Sequence, residues 1–125
     1  MTHKILVYDT SRVFSRFLKT KLDDSFELTV INSKREFKKQ SVSAYDSVFF
    51  IANDVFDALL FANIYKDTKP LFLGIAAKYL EDEFALYDGF IPLDLKLPKK
   101  ELTAFINTHL FQNQTYQAAN LETTI

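Results

Sequence analysis

The chain of 125 residues contains no cysteine, which excludes disulfide frameworks, thiolate zinc sites and thiol nucleophiles. It holds only two glycines, Gly74 and Gly89, so a glycine-rich phosphate loop or a dinucleotide fingerprint cannot be built. No apolar run approaches the roughly 20 residues needed to cross a bilayer. The opening MTHKILVYD has too short an apolar stretch for a secretory signal, so a cytoplasmic protein is expected. Charge of one sign is also missing. Fifteen basic against sixteen acidic residues give a net charge of −1, which argues against nucleic acid or a membrane surface as the main partner.

What the sequence does have is apolar content of 48%, with 13 Phe and 6 Tyr. That is enough for one substantial core, and aromatic rings are expected to fill it. Strands are predicted at KILVY (4–8), FELTVI (26–31), SVFFIA (47–52), PLFLGIA (70–76) and from Phe90 and Ile91. Between them, SRVFSRFLKTKL (11–22) places Val13, Phe14, Phe17, Leu18 and Leu22 on one helical side. Ser33 and Glu36 form a capping-box pattern opening a short basic helix anchored by Phe37. Asp54, with Asp57 three residues on, reads as the cap of a helix whose apolar side is Val55, Phe56, Leu59, Leu60 and Ile64. A fourth helix is expected over 79–87 with Leu80, Phe84 and Tyr87. A last one near Pro98 carries Leu102, Phe105, Ile106 and Leu110. Asp88-Gly89 marks a turn.

Five β-α units with unalternating strands imply an α/β protein, a parallel sheet covered by helices on both faces. The expected topology is the flavodoxin-like order 2-1-3-4-5, as a three-layer sandwich over residues 1–111 with a polar tail at 112–125. Ligands in such sheets bind beyond the carboxyl ends of the strands, near the switch between strands one and three. Asp9, Thr10 and Ser11 fall there, with Ile51, Ala52, Asn53 and Asp54, then Gly74, Ile75 and Ala76, then Pro92, Leu93 and Asp94.

On KILVYDTS, YDSVFFI, PLFLGIAA and DGFIPLD the chain resembles the receiver domain of two-component response regulators, across residues 4–111. Asp9 matches the first of that family's two adjacent acids, and Thr10 replaces the second. The position of the phosphate-accepting aspartate is Ile51, the family's Thr or Ser is Ile75, and its Lys-Pro pair is replaced by Leu93 and Asp94. Phe90 matches the aromatic switch position. The resemblance therefore implies a degenerate pseudo-receiver that is not an enzyme. Ile51 has no nucleophilic oxygen, and Asp9 alone is a poor magnesium site. No cofactor is expected. Asp9 is more readily a cap for the first helix than a ligand, and Asn53 an ordinary loop residue.

Such a module would work through contact with signalling proteins, a histidine kinase or phosphotransfer protein among them, or with a second copy. The resemblance implies a docking face on helix four, strand five and helix five, with Lys78, Tyr79 and Phe90, and a second beside Phe14 on the first helix. Two other readings stay open: an atypical phosphorylatable receiver using Asp9 and Asp54 with Mg2+, and a flavodoxin-like domain binding a small ligand. His109 reads as a helix-end residue, and Lys34, Arg35, Lys38 and Lys39 as a solvated basic face.

Overall fold

A computed structural model describes residues 2–67 and 70–110. The expected polar tail lies outside them. The elements run β1 (His3–Tyr8), α1 (Val13–Lys19), β2 (Phe26–Ile31), α2 (Lys34–Lys38), a 3₁₀ turn (Val42–Ala44), β3 (Ser47–Ala52), α3 (Phe56–Ile64) and β4 (Leu71–Ile75). A 3₁₀ turn (Lys78–Leu80), α4 (Glu81–Phe84) and β5 (Ile91–Leu93) follow. A last helix, α5, is described over 99–110.

All strands are parallel and ordered β2-β1-β3-β4-β5, the flavodoxin-like α/β arrangement. The chain divides into two compact units, one ending at Leu93 and one beginning at Asp94. The second holds α5, which buries Leu102, Ile106 and Leu110 at helical spacing.

Within the first unit the period of two sorts each strand's side chains between two faces. Ile5, Val7, Phe49, Ile51 and Phe72 point to one face, and all are buried. There Phe14 of α1 packs on Phe49 at 5.7 Å, and Phe49 stacks on Phe72 at 4.3 Å. Leu6, Tyr8, Val48, Phe50, Ala52, Leu71 and Leu73 join Phe37 of α2, α3, Leu80 and Phe84 of α4 on the other. β3 is buried along its whole length because it lies in the middle of the sheet. β2 is half-buried because it is an edge. The other edge, β5, carries Pro92, a residue that sheets confine to edge strands.

Three helices differ from expectation. α3 buries Asp57, Ala58, Leu60, Phe61 and Ile64, whereas Val55, Phe56 and Leu59 are 46%, 63% and 68% exposed. Apolar residues surround this helix (FDALLFANI), so periodicity selects no face. Packing decides, and it turns Phe61 inward as the hub of a ring cluster with Phe50, Phe84, Tyr87 and Phe90. α1 spans seven residues rather than twelve, and Val13 at its start is 73% exposed. The expected fourth helix is a 3₁₀ turn followed by the four residues of α4. Of the capping box at Ser33 the cap itself is present: its side chain accepts from the Glu36 amide at 3.2 Å, while the Glu36 carboxylate turns to Lys39 at 3.5 Å.

Candidate functional site

At the carboxyl edge of the sheet, strand register fixes which residues meet. Tyr8 pairs with Phe50, so Asp9 and Ile51 come next on neighbouring strands. Ile51 pairs with Gly74, Gly74 with Leu93, and Ala52 with Ile75. Ile51 and Leu93 are buried, at 1% and 4% exposure, and Thr10 and Ile75 are half-buried. The row that closes the strand ends is thus a buried acid followed by aliphatic side chains.

Asp9 is wholly buried, and its carboxylate accepts from four groups of its own chain. The Ser11 amide and hydroxyl donate at 3.2 and 2.8 Å, the Ser15 amide at 3.0 Å, and Asn53 Nδ2 at 3.3 Å. One of these donors, the Ser15 amide, is in the first turn of α1, so Asp9 does the work of its cap; Arg12, in the cap position, offers no side-chain bond. Arg12 adopts φ 67°, the left-handed region that a non-glycine residue enters at a cost of about 1–2 kcal/mol. With the Asn32 amide turned so that its oxygen faces the guanidinium, Arg12 donates to it from Nε and Nη2, each at 3.0 Å.

A second cluster lies behind Asn53. Asp57 is wholly buried at the first turn of α3. It accepts from Tyr8 Oη at 2.7 Å, from the Asn53 amide at 2.8 Å and from the Asp54 amide at 3.2 Å. Asp54 in turn accepts from the Asp57 amide at 3.2 Å, so the two acids cap the helix reciprocally. Lys34 of α2 joins them, 2.7 Å from Asp54 and 3.8 Å from Asp57.

The Tyr8 phenol is pushed far above its ordinary range, first by burial and then by Asp57, with Asp54 and Asp9 adding negative charge. The hydrogen bond from Lys34 to Asp54 raises the lysine, against a smaller opposing effect of burial. Partial burial pushes Asp54 upward, but Lys34 and backbone amides together outweigh it, and the carboxyl lies below its usual range.

Asp9, Asn53 and Ile51 are brought together, with Asn53 Nδ2 also 3.4 Å from the Ile51 carbonyl oxygen. Asp54 is drawn away toward Lys34. Among the described residues, no group of three or more His, Cys, Asp or Glu is arranged to hold a metal ion. A cavity of about 620 Å³ lies elsewhere, between α2 and α3, lined by Phe37, Lys38, Val42, Leu60, Asn63 and Asp67 among others. Of the residues expected on a docking face, Lys78 is exposed and Tyr79 is 72% exposed, while Phe90 is half-buried against Phe61. Phe14 is 5% exposed and belongs to the core; Val13 is the exposed residue at that helix start.

Sequence reasoning passed over Tyr8 and the buried role of Asp57, and it read Lys34 as part of a solvated basic face, whereas Lys34 pairs with Asp54. The available signals were a hydroxyl-bearing ring in an otherwise aliphatic β1 and a second acid inside a helix start. The fold and site define a flavodoxin-like α/β protein whose strand-end acids are engaged by its own side chains and amides. No protein-family model matches the chain, and no curated protein matches it. No helix among the described residues is long and apolar enough to cross a membrane.

Proposed function

We propose that this chain is a receiver-like signalling module that transfers no phosphate and acts by binding other proteins, in a cytoplasmic two-component-type setting. The observation that carries the reading is the buried aliphatic side chain of Ile51 at the tip of the central strand. Phosphoryl acceptance needs a nucleophilic oxygen there, with cationic charge around the transferring group. Asp9, the one acid beside Ile51, already accepts four internal hydrogen bonds, which leaves its lone pairs little capacity for a divalent ion. Asp54, a further carboxylate of this edge, is neutralised by Lys34. Exposed Lys78 and Tyr79 fit a protein-binding role on the α4 side.

The test is intact-mass measurement after incubation with acetyl phosphate and Mg2+. The mass is expected to stay unchanged. A phosphate-sized gain that Asp54→Ala abolishes would overturn the proposal and establish an atypical acceptor.

A further inference from the structure

α2, α3 and α4 cover the same face of the sheet: Phe37, Phe61 and Phe84, one from each, belong to a single core cluster. Their order follows from the crossovers. α2 leads from β2 to β3, α3 from β3 to β4, and α4 from β4 to β5, so α3 lies between the other two. The outer surface of this layer changes character helix by helix. Residues 34–39 carry Lys34, Arg35, Lys38 and Lys39 against Glu36. On α3, Val55, Phe56 and Leu59 are exposed at 46%, 63% and 68%. Residues 78–88 carry Glu81, Asp82, Glu83 and Asp88 against Lys78, with Tyr79 and Leu86 also exposed, at 72% and 95%. Lys34 and Lys39 have partners in Asp54 and Glu36. Among the described residues no ion pair engages Arg35, Lys38, Glu81, Asp82 or Glu83.

From this basic–apolar–acidic order we infer that the helical layer is the interface of a two-fold homodimer. A two-fold axis lying in the interface plane, parallel to α3, sets the apolar strip on its own copy. The same rotation exchanges the flanks, so that the basic α2 of each protomer faces the acidic α4 of its partner, twice. An isologous contact requires such self-complementarity, and the match of flanking charge selects a second copy over an apolar partner of other composition. Val55, Phe56 and Leu59 lie within one and a half helical turns and form an apolar strip that an isolated protomer leaves in water. This surface differs from the strand-end site, and the inference stands whether or not the signalling proposal holds.

Sedimentation equilibrium of the full chain across a concentration series tests it. The wild type is expected to associate to twice its monomer mass, with dissociation rising with salt because the charges are exposed. Leu59→Glu changes an exposed residue, so the fold is retained, and it is expected to weaken the dimer by at least about tenfold, about 1.4 kcal/mol. Two charge-reversed variants supply the specific test. Arg35→Glu/Lys38→Glu leaves both flanks acidic, and Glu81→Lys/Glu83→Lys leaves both basic. Each alone is expected to be monomeric, and an equal mixture of the two is expected to form a heterodimer. A wild type that stays monomeric, a dimer indifferent to Leu59→Glu, or a mixture that fails to associate would each overturn the inference.

Discussion

Asp57 and Tyr8 show how one buried pair can set the tolerance of a whole corner of the molecule. A carboxylate with no solvent contact must find its partners inside, and the phenol supplies the side-chain donor. Tyr8→Phe keeps the ring packing on Phe37 and Phe50 but removes that donor. The expected loss is about 1–3 kcal/mol in urea unfolding. Combined with Asp57→Asn, the two losses should fall short of their sum, because they break one shared interaction. The phenol's raised pKa has a defined sign. Its stabilising effect is complete below the unfolded value near pH 10 and is lost as pH rises toward the higher folded value. Phenolate absorbance during alkaline titration should therefore show one of the six tyrosines ionising only with unfolding, and Tyr8→Phe should remove that late step. The residue pattern offered a ring hydroxyl in β1 and a second acid at a helix start, but nothing that joined the two. Tyr8 and Asp57 are 49 positions apart, and only strand pairing and the seat of α3 bring them together.

At the level of elements, the helix starts were the most legible parts and the helix faces the least. The cap at Ser33 and the acid pair at Asp54 were readable because a cap is a local arrangement of a few consecutive residues. The face of α3 was not, because Phe56, Leu59 and Phe61 are equally apolar and only the space above Phe50 distinguishes them. Phe61→Ala should cost about 3–5 kcal/mol, and Phe56→Ala less than about 1, measured by the shift in urea midpoint. The tie between α2 and α3 depends on pH. The folded carboxyl of Asp54 lies below its unfolded value of about 3.9, so its contribution is present above that pH and is lost as acid protonates the folded state. With both partners more than a third exposed, the pair contributes at most about 1 kcal/mol. The stability difference between wild type and Asp54→Asn should be of that size at neutral pH and close as acid protonates the folded carboxyl.

For the whole molecule, sheet order was predictable because five β-α units with right-handed crossovers leave few topologies. The strand-end row was predictable in composition but not in bonding. Ile51 could be placed at the tip of β3 from sequence alone, whereas the four donors on Asp9 depend on the path of the chain after β1. Replacing Ile51 by Asp would set a second buried carboxylate beside Asp9. It should destabilise by at least about 3 kcal/mol, through lost apolar burial and an unpaired charge. Ile51→Val should cost only about 0.5–1.5 kcal/mol. Equal denaturation midpoints for the two variants would mean the position is not packed.

The placement of β1 between β2 and β3 has a consequence during synthesis. β1 leaves the ribosome before β2 and can zip to it early, yet its other edge waits for β3, whose last residue is Ala52. Until then a nascent chain carries four fully buried-type residues, Ile5 to Tyr8, with half their hydrogen-bonding groups unmatched. Translation pauses that delay the emergence of β3 would prolong that exposure, and chaperone occupancy of the nascent chain should drop once β3 has emerged.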